Sequence, residues 1–190
     1  MRLLLASKSP RRRELLARLG YPIGIVNLTV EEHVDPTLPA AEVAEHLARR
    51  KAAACNTDLH DSVLVTADTV VVLDGKVLGK PSSRQNAIDM LSSLSGKTHT
   101  VYTGVCLRTS TRTVSFSEHT QVHFLPLTRE VIEHYVDNYR PYDKAGAYGI
   151  QEWIGMVGIA GIEGCFYNVM GLPLAHLYRE LTTTLGMPQP

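Results

Sequence analysis

The amino-acid sequence predicts an α/β fold built on a mixed sheet, and three observations lead there. Strand-like and helix-like stretches alternate through the first half of the chain, two long β-branched runs follow each other in the middle, and no tract has the composition of a linker between independent domains. A single domain spanning residues 1–190 is therefore expected.

The first element is a short buried strand at Leu3–Ala6 that breaks into Ser7-Lys8-Ser9 before Pro10. Ser9 suits a helix N-cap, and Pro10 suits the first helical position, where its missing N–H is no loss. The helix places Leu15, Leu16 and Leu19 on one face and Glu14 with Arg18 one turn apart on another, and Gly20 ends it. Helix-start N–H groups, two hydroxyls and the cations Lys8, Arg11, Arg12 and Arg13 converge on this turn. It reads either as an anion site, phosphate above all, or as a capped helix with a solvated basic face.

A strand is expected within Tyr21–Thr29, followed by acidic Glu31 and Glu32, which form a solvated rim or part of a metal site. A loop covers His33–Pro39. Ala40–Cys55 is alanine-rich and helical, with Val43, Leu47, Lys51 and Ala54 along one stripe. Lys51 conflicts with its apolar neighbours. Either its stem packs while the ammonium reaches water, or it is aimed into a ligand cleft.

Ser62–Leu73 is the longest strand signal, almost wholly apolar apart from Asp68. A carboxylate in such a run is costly unless a cation, a metal or several donors compensate it, so Asp68 marks a functional site or a salt bridge to a structural lysine. Asp74-Gly75 predicts a tight hairpin into a return strand at Lys76–Gly79, ended by Lys80-Pro81. Ser82 or Ser83 caps a helix bearing Ala87, Ile88, Leu91 and Leu94, with Gly96 as its stop.

Thr98–Leu107 and Thr113–Phe124 read as an antiparallel strand pair. His119 and His123 lie four apart in the second, but β-branched neighbours argue against the helix that such a metal pair needs, and no zinc motif is present. Thr128 caps a helix with Val131, Ile132, Tyr135 and Val136 buried and Leu127 stapled on Ile132, ending before Pro141. The small residues of Tyr142–Gln151 permit close approach of backbone to a ligand or another strand. Glycines at 155, 158, 161 and 164 match no nucleotide-binding motif, Phe166–Met170 reads as a last strand, and Leu174, Leu177, Tyr178 and Leu181 line a terminal helix. Disorder is expected only at Met187–Pro190.

Composition narrows the class. Lys plus Arg and Asp plus Glu are equal at 19 each, so no bulk field draws the chain to nucleic acid or an anionic membrane, and any phosphate binding is local. Three widely spaced cysteines fit reduced thiols rather than a disulfide framework. The apolar start is too short for a signal peptide and no stretch is long enough to span a bilayer, so a cytoplasmic protein is expected.

Taken in order, SKSPRRRELLARLG, VEEH, LARRKA, TADTVV, GKP, DKAGAYGIQ and NVMGLP closely resemble the Maf family of nucleoside triphosphate pyrophosphatases across nearly the whole chain. The resemblance implies a two-lobed α/β fold similar to the inosine triphosphate pyrophosphatases, with an elongated mixed sheet and a central cleft. It implies a small-molecule nucleoside triphosphate as substrate, hydrolysed to the monophosphate and pyrophosphate with Mg²⁺ or Mn²⁺, in a homodimer. Asp68 matches the catalytic carboxylate. Arg11, Thr69 and Gln151 match the positions that set base choice, and this set points to the branch acting on dTTP and UTP rather than on 7-methyl-GTP.

On that reading Ser7, Ser9, Arg12, Lys51 and Lys80 grip the phosphates, and Asp68 holds the metal with Glu32 or its neighbour Glu31; where the family often has Asp-Glu, this chain has Glu31-Glu32. The family name is also tied to inhibition of septum formation, so a nucleotide-binding regulator of cell division is the alternative.

Overall fold

The computed structural model describes residues 1–30 and 37–190. In chain order these form β1 (Arg2–Leu5), α1 (Pro10–Ala17), β2 (Ile23–Ile25), α2 (Ala40–Ala54), β3 (Ser62–Leu73), β4 (Lys76–Leu78), α3 (Arg84–Leu94), β5 (Thr98–Arg108), β6 (Thr113–Phe124), α4 (Arg129–Tyr139), α5 (Trp153–Gly158), β7 (Ile159–Glu163), α6 (Phe166–Met170) and α7 (Leu174–Arg179). The strands pair in the order β2-β1-β3-β5-β6-β7, with β4 on β3. The sheet is mixed: β1 runs parallel to β2 and β3, while β3–β4 and β6–β7 are antiparallel. The fold is therefore α/β, as expected.

The chain divides into two compact units, one made of Met1–Asp68, Thr103–Glu118 and Gly171–Pro190, the other of Thr69–Tyr102 and His119–Met170. The division passes through β3, β5 and β6.

In the first unit β1 is flanked on both edges, with Leu3 opposite Ile23 of β2 and Val63 of β3. Leu3, Leu4 and Leu5 are all buried, so neither face of the strand meets water, which is why it reads as an unbroken leucine run. Helix α2 covers one face. Ala48, Ala52 and Cys55 pack there on Leu4, Ala6, Leu64 and Cys106. The helix sits so low on β5 that a Cβ on Gly104 would lie 2.2 Å from the Glu45 nitrogen, a close approach that only glycine allows. Burial beneath this helix pushes the Cys106 thiol up to about 11.

The strand expected within Tyr21–Thr29 is present and covers the three residues of β2. One expectation fails in this unit. The C-terminal tail is packed rather than loose: Met187 is buried, its N–H donates to the Leu181 carbonyl at 2.9 Å, and Pro190 lies against Gly20.

In the second unit Asp74 and Gly75 take positive φ of 50° and 77°, the pair a type I′ turn requires, and set Val72 opposite Val77. Ser83 and Thr128 cap α3 and α4 through their hydroxyls. The two helices bury Leu91, Leu94, Ile132 and Tyr135 in one core with Val71 and Phe124. His99 is enclosed in this unit, its Nε2 2.7 Å from the Tyr148 hydroxyl, and burial lowers its pKa to about 4.

Phe166–Met170 is a helix, α6, and not the last strand its aromatic and β-branched residues suggest. Buried Asn168 decides this by donating to the Val101 carbonyl at 3.1 Å and to Thr120 Oγ1 at 2.9 Å, fixing the segment against β5 and β6. The last strand is instead β7, which pairs Ile162 with Val122. No helix among the described residues is long and apolar enough to cross a membrane.

Candidate active site

The turn after β1 is built as its sequence demands. Ser9 has extended backbone, and its Oγ accepts the Arg12 N–H at 3.4 Å, while Ser7 Oγ accepts the Ser9 N–H at 3.2 Å. Arg12 turns inward and is only 9% exposed. Its Nε donates to the Gly171 carbonyl at 2.8 Å, and its Nη1 reaches Ser7 Oγ at 3.5 Å. The SKSPRRR and NVMGLP motifs therefore meet through one guanidinium. Arg11 is half-buried beside it, and Glu14 pairs with Arg18 at 2.6 Å on the solvent side.

Asp68 belongs to the same unit. Side chains alternate along β3, so Leu64, Thr66 and Asp68 share the face that α2 covers. Thr66 Oγ1 donates to the Ala48 carbonyl at 2.7 Å. One turn further along the helix, Lys51 Nζ stands 3.4 Å from Asp68 Oδ1, each side chain 13% exposed. The two polarity conflicts of the sequence thus face each other. The rest of the predicted stripe drifts, for Ala54 is exposed and Ala44, Ala48 and Ala52 are buried with Val43 and Leu47. β1 and β3 are parallel with Leu5 opposite Val65, so Ser7 follows the end of β1 by two residues while β3 runs on past Val65 to Asp68.

In the second unit Thr69, next to Asp68 on β3, points to the opposite face of the strand. Lys80 follows β4 and is exposed, as is Gln151. The Gly146 N–H donates to the Gly79 carbonyl at 3.0 Å, which joins the GKP and DKAGAYGIQ motifs. Gly146 and Ala147 both hold positive φ, and Gly146 is pressed to within 3.0 Å of Val71 at its would-be Cβ.

Beside Gln151 lies a polar group of which Asp143 and Lys144 stand out in the sequence as polar neighbours of the small residues, while Tyr135 and Glu152 do not. Tyr135 of α4 donates to Glu152 Oε2 and accepts the Gly149 N–H at 3.0 Å; Lys144 Nζ meets Glu152 Oε1 at 3.0 Å and Asp143 Oδ1 at 2.7 Å. Burial first, and the Glu152 carboxylate second, push the Tyr135 phenol far above its ordinary pKa. The signal available was a lysine and a glutamate flanking a run of small residues.

A divalent cation would find a hard oxygen donor in Asp68. Among the described residues no three His, Cys, Asp or Glu side chains gather to hold a metal, and Glu31 and Glu32 lie outside those residues. One protein carboxylate suits Mg²⁺, which is commonly held by one or two carboxylates with waters and substrate phosphates completing the shell, and does not suit structural zinc. His123 is engaged otherwise, with Thr98 Oγ1 at 2.7 Å and Glu163 at 3.1 Å.

Comparison with known proteins gives the same direction. A dTTP/UTP pyrophosphatase of Bacteroides thetaiotaomicron is 51% identical over 94% of this chain and 94% of its own length. Proteins of the same name from Porphyromonas gingivalis and Cytophaga hutchinsonii are 48% and 46% identical, over 95% and 94% of this chain and 92% and 82% of theirs. Among solved structures, a Staphylococcus aureus Ham1 protein aligns with a TM-score of 0.45 at 14% identity, over 65% of this chain and 72% of that one. The profile described as Maf-like protein matches residues 2–184, and the chain belongs to the Maf family.

Proposed function

We propose that residues 1–190 act as one catalytic domain, a dTTP/UTP pyrophosphatase that hydrolyses these nucleotides, and modified pyrimidine nucleotides with them, to the monophosphate and pyrophosphate, clearing them from the nucleotide pool. The observation that carries this is Asp68, set in the apolar strand β3 against Lys51 at 3.4 Å, in a chain half identical to proteins of that name.

Cleaving the bond between the α- and β-phosphates needs three things: cations on the phosphates, an activated water, and a grip on the base. Ser7, Ser9, Arg12, Lys51 and Lys80 supply the first. Asp68 takes the proton of the water attacking the α-phosphorus, and pyrophosphate leaves. Lys51, 3.4 Å from Asp68, brings its positive charge to the place where the phosphates must be neutralised.

Mg²⁺ or Mn²⁺, when bound by Asp68 and Glu32, would neutralise charge on the triphosphate. Base choice rests with Arg11, Thr69 and Gln151. The carboxamide of Gln151 offers a donor and an acceptor, the pair that a uracil or thymine edge presents in complement, whereas a carboxylate there would only accept. The enzyme works in the cytoplasm as a homodimer.

Pyrophosphate release from a panel of canonical and modified triphosphates with Mg²⁺ or Mn²⁺ tests the proposal. Turnover is expected with dTTP and UTP, and Asp68→Asn is expected to lower kcat at least about 100-fold, the scale of a lost general base. Asp68→Asn with wild-type turnover would refute the assignment of the carboxylate. Absence of pyrophosphate release from either nucleotide would refute the activity.

A further inference from the structure

The polar chain around Tyr135 has a geometry that ordinary packing does not need. Tyr135 is fully buried on α4, yet its hydroxyl serves both ends of one short turn, accepting the Gly149 N–H at 3.0 Å and donating to the Glu152 carboxylate. The turn is closed by the Glu152 N–H on the Gly149 carbonyl at 3.0 Å. Ile150 and Gln151 are the two residues inside it. On the far side, the other Glu152 oxygen is taken by Lys144, whose side chain is 9% exposed and which also meets Asp143. Space is closed as well: a Cβ on Gly149 would stand 3.0 Å from each of Gln151 Nε2, Glu152 Cδ and Lys144 Cε.

A buried lysine and a half-buried carboxylate are costly to desolvate and stabilise a fold no better than apolar residues of the same size, so their retention points to geometry rather than to stability. Within this set the Tyr135 hydroxyl ties the backbone N–H of Gly149 to the side chain of Glu152, one on each side of Gln151, and Lys144 holds that same Glu152 side chain. On the reading that Gln151 reads the base, we infer that Tyr135, Glu152 and Lys144 are positioning residues for base choice: they fix the turn 149–152 so that the Gln151 carboxamide meets the pyrimidine edge in one orientation. None of them needs to touch the nucleotide. Loosening the turn lets the amide rotate and weakens binding of the right base more than it slows the hydrolysis of whatever is bound.

The test uses the full chain with Mg²⁺ and measures kcat and KM for UTP and CTP, with folding checked by thermal unfolding. Tyr135→Phe keeps the ring and removes both hydrogen bonds. It is expected to raise KM for UTP about tenfold with kcat within about threefold, and to cut the preference for UTP over CTP about tenfold, the scale of one lost hydrogen bond to a charged group. Wild-type preference in folded Tyr135→Phe would overturn the inference.

If that variant does not fold, Glu152→Gln takes its place, since it retains an oxygen for Tyr135 and loses only the charge facing Lys144. A fall in preference of about threefold or more supports the inference, and an unchanged preference overturns it. Gln151→Ala separates the two levels. Should it leave the preference intact, base reading by Gln151 falls and this inference with it; should it abolish the preference while Tyr135→Phe does not, only the positioning role falls.

Discussion

Gly104→Ala tests how the first unit brings Lys51 to Asp68. The added methyl would stand 2.2 Å from the Glu45 nitrogen, 2.3 Å from the Ala44 carbonyl carbon and 2.3 Å from the Glu45 Cα. All three are backbone of α2, so no side chain can swing aside. Ordinary contact begins at 3.4 Å, and the helix has to rise by roughly 1 Å to restore it. Lys51 lies on the same helix and rides with it, stretching the 3.4 Å approach to Asp68. Overpacking of this kind costs about 1–3 kcal/mol, a fall of roughly 2–10 °C in the unfolding midpoint for a chain of this length. A misplacement of about 1 Å at a reacting group can cost about 100-fold in rate, and a loss of about 10- to 100-fold in kcat is expected here. Differential scanning calorimetry and pyrophosphate release from UTP read the two effects. Gly161→Ala is the control, because its Cβ would meet nothing within 4 Å. Gly104→Ala with the midpoint and turnover of Gly161→Ala would refute the account of how α2 is seated.

Arg12→Lys keeps the charge of the β1 turn but loses the forked grip on the Gly171 carbonyl and Ser7, and is expected to lower stability by about 1–3 kcal/mol in urea unfolding. Stability is also expected to depend on His99. Its folded pKa of about 4 lies below the unfolded value of about 6.5, so between these pH values the unfolded chain binds more protons and stability falls as pH drops, by on the order of 3 kcal/mol in all. Urea titrations of wild type and His99→Phe at pH 4.5 and 7 check this, and the variant should show a flatter slope over that interval.

Local chemistry made much of the fold readable in advance. Ser9-Pro10 sets the start of α1, and Asp74-Gly75 sets the end of β3, because each acts through bonds to its own neighbours. α6 was hidden for the opposite reason: the contacts that make Phe166–Met170 helical run through Asn168 to Val101 and Thr120, residues 67 and 48 positions away. β7 was hidden behind evenly spaced glycines that have different jobs. Gly155 makes room for the Ile150 carbonyl, while Gly161 crowds nothing.

The candidate site divides along the same line. Lys51 and Asp68 could be found singly because each contradicts the apolar pattern around it, and the structure adds that they face each other. Tyr135 could not, since a tyrosine on the buried stripe of a helix looks like any core residue until its hydroxyl is seen between Gly149 and Glu152. Glu32, read as a metal ligand, lies outside the described residues.

β3 carries the proposed proton acceptor and a proposed selector of the base on successive residues, Asp68 and Thr69. A pleated strand turns every second side chain to the same surface, so an insertion or deletion of one residue upstream would exchange the two. Chemistry and selectivity are thereby tied to a common ruler. A change of length is cheapest at the hairpin tip, where a Cβ on Gly75 would meet nothing within 4 Å, but a change in the count of residues between Ser62 and Asp68 would have to come in pairs.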